Sequence, residues 1–192
     1  MSHSEARERV LQAAEQLFSE RGYTAVTIKD IAIAAGIHHA SLYHHAPGGK
    51  EQLYIEVTTR MLERHRQGIA NAIQDGGIDL RNQLHKIAIW FLSHPPMDMI
   101  RMVHSDISAI EATSAHQLLY LAFDAILVQL EGILRQAQNR GEIRSYHIGT
   151  MAGALFSAIQ GLHTLPEAYL EKPRQEMADE IIDMFIAGMK HS

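Results

Sequence analysis

Apolar residues recur along this chain at helical spacing almost from its start. Val10, Leu11, Ala14, Leu17 and Phe18 share one face of a first helix, with Ser2 or Ser4 as its N-cap and Gly22 as its stop. Thr27 followed by Asp30 is a capping-box variant that opens a second, short helix, whose buried stripe is Ile28, Ile31, Ala32 and Ala35 and which Gly36 ends. After the turn Gly36-Ile37-His38, a third short helix runs through Ala40, Leu42 and Tyr43 until Pro47-Gly48-Gly49 breaks it. From Lys50 the stripes lengthen. Leu53, Val57, Met61 and Ile69 predict a long fourth helix that reaches Asp75-Gly76-Gly77, and Leu80, Leu84, Ile87 and Phe91 predict a fifth closed by Pro95-Pro96.

A sixth helix is expected over 99–110 and a seventh over about 115–140, apolar nearly all round as far as Val128 and therefore expected to be buried. An eighth covers about 146–163 and a ninth about 174–190. No alternating strand pattern and no repeat interrupts them. The expected fold class is all-α, with about nine helices in an N-terminal three-helix domain over 1–49 and a C-terminal helical domain over 50–192.

Charge changes this picture in one respect. The chain of 192 residues carries a net charge of -5, which argues against a protein that coats nucleic acid through bulk electrostatics. Up to Lys50, however, five basic residues balance five acids and five histidines are added, so any nucleic-acid contact there rests on the placement of few donors. Cysteine is absent, which removes disulfides, thiolate nucleophiles and Cys-based zinc sites and fits a reducing, cytoplasmic setting. No apolar run reaches eighteen residues and the N-terminus has no leader pattern, so a soluble protein without a membrane partner is expected.

Two short helices joined by a glycine turn are the helix-turn-helix plan, whose second helix enters the major groove. The stretch 21–54, RGYTAVTIKDIAIAAGIHHASLYHHAPGGKEQLY, resembles the N-terminal domain of the tetracycline-repressor (TetR) family. The matching signals are Gly-aromatic, Thr-hydrophobic-x-x-Ile-Ala, Ala-Gly-hydrophobic at the turn, Leu-Tyr-x-His in the third helix and Lys-Glu-x-Leu at the fourth. The resemblance implies a DNA-binding regulator in which Thr27, Tyr43 and Lys50 hold phosphates, while His38, His39 and Ser41 face base edges. Lys29, His44 and His45 lie beside them and are counted with the DNA-contact set. Taken alone, Tyr43 reads as a core aromatic and Lys50 as a solvated helix start. The chain departs from the family pattern at Ala46, where many members carry an aromatic, and reaches Lys50 one residue later. Gly49-Lys50 is not a Walker A loop, because His44 stands where that motif needs glycine and Glu51 where it needs Ser or Thr.

The resemblance further implies that the C-terminal part binds a small effector and dimerises. In the expected eighth helix, Gly149, Gly153, Ser157 and Gly161 recur every four residues, and glycine inside a helix costs about 1 kcal/mol relative to alanine. Close approach of another helix accounts for such a line, and either a second copy or an internal crossing can supply it. The ninth helix is apolar on more than one face, including Ile181 and Phe185, so a homodimer through helices eight and nine is expected. Effector-lining candidates are Trp90, Phe91, Met97, Met99, Met102, His104, Phe123, Phe156, Gln160 and His163, an adaptable and mainly apolar set.

Two rival readings compete with this one. Thirteen histidines suggest a metal-sensing helical regulator, but no His-Glu-x-x-His and no suitably spaced pair beside carboxylates is present, so no metal or other cofactor is assigned. A helical enzyme lacks any recognisable nucleophile, paired-carboxylate or phosphate-loop motif, and no catalytic residue is assigned. The expected function is a ligand-responsive repressor of a palindromic double-stranded operator, whose two recognition helices reach major-groove segments roughly 34–36 Å apart or a multiple of that.

Overall fold

The computed structural model describes residues 3–145 and 147–190, and over these the chain is helical with no strand. The helices are α1 (His3–Ala25), α2 (Ile28–Ala34), α3 (His39–His45), α4 (Gly49–Asp75), α5 (Leu80–Leu92), α6 (Met99–Arg101), α7 (Ala112–Ala122), α8 (Gln129–Asn139), α9 (Ile148–Gly161) and α10 (Arg174–Met189). The expected sixth helix is broken into three periodicities: α6, a π-helical turn over Met102–Asp106 and a 3₁₀ turn over Ile107–Ala109. The expected seventh is α7 and α8 joined through a π-helical stretch, Phe123–Val128. Short 3₁₀ turns at Leu162–Thr164 and Glu167–Tyr169 lie between α9 and α10. Ser4 lies inside α1 and so is not its N-cap, while Ser2 and Tyr146, proposed helix boundaries, lie outside the described residues.

The chain forms two compact units, Met1–Glu63 with Asp98–Leu121, and Arg64–Met97 with Ala122–Ser192. In the first, Val10, Leu11, Ala14, Leu17 and Phe18 of α1 are buried together with Ile31, Ala32, Ala35, Leu42, Leu53 and Val57, whereas Ile28 and Met61 of the expected stripes are only half-buried. Phe18, Tyr23 and Tyr54 form an aromatic trio, with Tyr54 4.9 Å from Tyr23 and 5.2 Å from Phe18 between ring centroids. Arg7 donates to both oxygens of Glu56 and pins α1 to α4.

Gly22, expected to stop α1, instead kinks it, and the helix resumes to Ala25; this kink is where the unit depends most on distant residues. Gly22 adopts φ 78° and ψ 169°, a region open essentially to glycine alone, and a Cβ there would lie 2.9 Å from Asp106 Oδ1 and 3.0 Å from Arg101 Cδ. Tyr23 N–H donates to Asp106 Oδ1 at 2.8 Å, and Arg101 donates to the carbonyls of Phe18 (3.2 Å) and Ser19 (2.6 Å). The buried Asp106 is in turn 3.5 Å from Arg101 Nε. A helix kink leaves the carbonyls before it without partners, and here a guanidinium from a different part of the chain supplies them.

In the second unit, α5 packs along α10, and α9 contacts both. Leu84, Ile87, Ala88 and Phe91 of α5 are buried, as are Leu155, Phe156 and Ile159 of α9 and Ala178, Ile182 and Ile186 of α10. The Arg81–Asp183 ion pair and the contact of His85 Nδ1 with Asp179 Oδ1, both 2.5 Å, link α5 to α10. The uninterrupted 112–139 run is the one helix among the described residues long and apolar enough to cross a membrane. Asp124 and Glu131 within it, and the burial of Ala125, Ile126, Leu130, Ile133 and Leu134, fit a core helix. It is not buried all round, however: Tyr120, Phe123 and Val128 are 76%, 52% and 53% exposed, which corrects the expectation of full burial up to Val128.

One buried polar group gives this unit a pH response. His65 is 4% exposed, and burial, with smaller contributions from His94 and Arg64, pushes its imidazole down to about 4. Because an unfolded chain protonates this group near 6.5, stability is intact above that pH and falls as the pH drops from about 6.5 towards 4, by about 3 kcal/mol in total. Urea unfolding of wild type and His65→Gln at successive pH values should show a shallower acid limb in the variant; identical slopes would mean that His65 is not a buried neutral imidazole.

Candidate functional site

The helix-turn-helix is assembled from local signals. Thr27 caps α2 reciprocally with Asp30: Asp30 N–H donates to Thr27 Oγ1 at 3.2 Å, and Thr27 N–H donates to Asp30 Oδ2 at 2.9 Å. The Thr27 hydroxyl also donates to that carboxylate at 2.6 Å, and these bonds hold the Asp30 carboxyl below its ordinary range. At the other end of α2, Ile37 N–H reaches Ala32 O and Gly36 N–H reaches Ile33 O, which is a Schellman motif that requires the left-handed φ of 66° found at Gly36. This turn aims α3. Leu42 is buried under α3, whereas His39, Ala40, Tyr43 and His44 are exposed and Ser41 is half-buried.

His38 is the N-cap residue of α3 and is exposed, as is Lys29 on α2. The rings of His39 and Tyr43 meet edge to face with centroids 5.6 Å apart, so each restricts the other's rotamer. His45 is half-buried. Ala46 is 1% exposed, so the position where relatives of this pattern carry an aromatic is closed here by a methyl group. Its carbonyl accepts from Gly49 N–H at 3.0 Å, and the resulting turn absorbs the additional residue before α4. Lys50 is then the second residue of α4, and its ammonium is already held: Nζ donates to Tyr23 O at 3.0 Å and sits 4.0 Å from the centroid of the Tyr23 ring.

In the second unit, several of the sequence-selected apolar residues come together. Phe91 and Phe156 meet at 5.4 Å, Gln160 Oε1 accepts from Met97 N–H at 3.3 Å, and His163 Nε2 lies 3.3 Å from Phe91 O. Trp90 donates its indole N–H to His65 Nδ1 at 3.2 Å and stacks on His94 at 3.8 Å. Sequence reasoning missed His65, His94 and Gly68. His65 does sit on the buried stripe of α4 between Leu62 and Ile69, and a Cβ on Gly68 would lie 2.0 Å from the Trp90 ring. A polar residue in an apolar stripe was the available signal. Met99, Met102 and His104 belong to the first unit, where Met102 is buried, Met99 half-buried and His104 exposed. Phe123 is half exposed to solvent.

On α9, a Cβ added to Gly153 or Gly161 would meet nothing within 4 Å, and Ser157 is exposed, whereas one on Gly149 would lie 3.1 Å from Glu131 Oε1. On α10, Ile181 and Phe185 are half-buried and Met184 is 65% exposed. Among the described residues no group of three or more His, Cys, Asp or Glu side chains is placed to hold a metal ion.

Comparison with known proteins agrees with this geometry. Residues 10–57 match the family model for bacterial regulatory proteins of the tetR family. Over 74 residues the chain is 43% identical to the HTH-type transcriptional regulator LmrA of Bacillus subtilis (strain 168), which covers 38% of this chain and 39% of LmrA. It is 46% identical over 57 residues to the HTH-type transcriptional repressor KstR2 of Mycolicibacterium smegmatis, covering 30% of this chain and 27% of KstR2. The chain thus aligns with about two-fifths or less of the length of these curated relatives. Its fold is similar over nearly its whole length to the TetR family transcriptional regulator PfmR from Thermus thermophilus, with TM-score 0.71, 24% identity and coverage of 95% of this chain and 100% of PfmR. It is also similar to AibR, solved in complex with isovaleryl coenzyme A and operator DNA, with TM-score 0.76, 19% identity and coverage of 93% and 97%. The capping box, the Schellman turn and the exposed third helix all lie, in that order, within the residues 10–57 that match the family model for bacterial regulatory proteins of the tetR family.

Proposed function

We propose that this chain is a cytoplasmic, ligand-responsive repressor that binds a palindromic operator as a homodimer and is released by a small, mainly apolar effector. The observation that carries the reading is that α4 is one uninterrupted helix bearing both Lys50, at the helix-turn-helix, and His65, in the aromatic cluster of the second unit. In this reading α4 is the element through which effector and operator binding are coupled, and a coupling of about 1–3 kcal/mol suffices for a usable switch.

Residues 1–49 form the DNA-binding domain in this reading. Thr27, Lys29, Tyr43, His44, His45 and Lys50 face the sugar-phosphate backbone, and His38, His39 and Ser41 face base edges. Residues 50–192 bind effector and partner. Trp90, Phe91, Met97, Phe156, Gln160 and His163 of the second unit supply an apolar wall with few polar groups. AibR, of similar fold, was solved with both an acyl coenzyme A and operator DNA, which supports a fold able to hold both kinds of ligand.

The dimer face is the line Gly149, Gly153, Ser157 and Gly161 with Ile181 and Phe185. That Gly153 and Gly161 meet nothing within the chain supports a partner helix as the reason for them. Gly153→Leu should force the partner away at a cost of about 1–3 kcal/mol per subunit and yield folded monomer in sedimentation. An unchanged dimer would move the interface elsewhere.

The DNA arm is tested by selecting bound duplexes from a random pool. The enriched sequence should be palindromic, and Lys50→Ala should weaken binding on all sequences and reduce the log–log salt slope by roughly 1, whereas His39→Ala should change the preferred sequence. Lowering the pH from about 8 to about 6 at fixed salt should tighten binding, because each histidine that takes up a proton beside a phosphate adds a cation. A panel of hydrophobic ligands should then raise the melting temperature and weaken operator binding together. No enrichment over any input duplex would refute the function.

A further inference from the structure

Tyr23 is held through its N–H, its carbonyl and its ring. Its N–H donates to the buried Asp106 carboxylate, its carbonyl accepts from Lys50 Nζ, its ring receives the Lys50 ammonium on one face, and Phe18 and Tyr54 pack around that ring. Asp106 is the last residue of the π-helical turn Met102–Asp106, and Arg101, just before that turn, ties the Phe18 and Ser19 carbonyls of α1. One residue therefore separates Asp106 from Lys50, although Asp106 lies 83 positions from Tyr23 in sequence.

We infer that Asp106 and Arg101 are positioning residues for DNA binding: by gripping the Gly22–Tyr23 junction they fix the carbonyl and ring that pre-order Lys50 for a phosphate. The inference rests on the reading that the N-terminal domain holds duplex DNA with Lys50 on its backbone. A lysine side chain loses considerable rotamer freedom when it binds, so a lysine ordered beforehand binds more tightly than a free one. The ammonium has three donors, and with one on the Tyr23 carbonyl the others are left for a phosphate. The geometry also gives the 98–109 segment a direct hold on the DNA contact. A π-helical turn contains more residues than an α-helical turn, so its return to α-helix would rotate Asp106 about the helix axis and withdraw it from Tyr23 N–H.

The test is a double-mutant cycle on the full chain, using a labelled duplex of random sequence and the duplex that the wild type enriches from that pool. Affinity is measured across a salt series, and far-ultraviolet circular dichroism with thermal melting reports folding. Lys50→Ala should lower affinity roughly three- to tenfold and reduce the salt slope by about 0.9. Asp106→Ala should produce a similar loss and a similar slope, and the Asp106→Ala/Lys50→Ala double variant should bind no more weakly than Lys50→Ala alone, because both act through one contact. Asp106→Asn, which keeps an oxygen acceptor for Tyr23 N–H, should restore most of the affinity.

If Asp106→Ala shows no cooperative melt, Arg101→Gln carries the same cycle, with the same expectation of non-additivity against Lys50→Ala. Additive losses, or a folded Asp106→Ala chain with wild-type affinity and slope, would overturn the positioning role while leaving DNA binding in place. A wild type that binds neither duplex at low salt would instead bring down the DNA-binding reading itself, and this inference with it.

Discussion

The carbonyls of Phe18 and Ser19, in the turn before the Gly22 kink of α1, accept from Arg101, more than eighty positions away. That constraint organises the first unit. Backbone groups freed at a kink are costly to leave without partners, so α1 can kink at Gly22 because Arg101 and Asp106 are in place. Asp106, being 3% exposed, is in turn tolerable as a charge only because Tyr23 N–H and Arg101 face it. Each group is the condition for the other. The glycine is part of the same arrangement, since its backbone conformation and the missing Cβ are both required for Asp106 to approach.

A DNA-binding segment with no net formal charge must work differently from a basic patch. The donors proposed for it are few, and contacts within the chain restrict them: Lys50 by the Tyr23 carbonyl and ring, Tyr43 and His39 by each other, and the first turn of α2 by the Thr27–Asp30 box. Restriction of this kind lowers the entropy lost on binding, which matters more when each contact carries a larger share of the affinity. It also explains why the Lys50 and Tyr43 side chains are neither fully buried nor freely solvated.

Much of this was legible in sequence because it is local. The capping box at Thr27, the turn at Gly36 and the break at Pro47 are written in residues within one helical turn of the structure that they produce. The roles of Asp106 and His65 were not legible, because each depends on what the fold brings beside it: the end of α1 in one case, Trp90 in the other. The π-helical segments were hidden for another reason. A π turn shifts the apolar register by about one residue, which in 118–128, apolar but for Asp124 and the Tyr120 hydroxyl, leaves little trace in the pattern. The same uniformity made that stretch look buried on all sides, although Tyr120, Phe123 and Val128 face solvent in the single chain.

Two helices with interior glycines show how structure separates cases that sequence treats alike. Gly68 in α4 has its reason inside the chain, because the Trp90 indole occupies the space that a side chain would need. Gly153 and Gly161 in α9 have none there: nothing lies within 4 Å of where their Cβ atoms would be, and alanine at either site would favour the helix by about 1 kcal/mol. An internal helix crossing, the other explanation for a small-residue line, predicts contacts at these positions, and the chain makes them only at Gly149. Among the described residues Gly153 and Gly161 are left open beside the exposed Ser157, and this is the helical face proposed above for a partner helix.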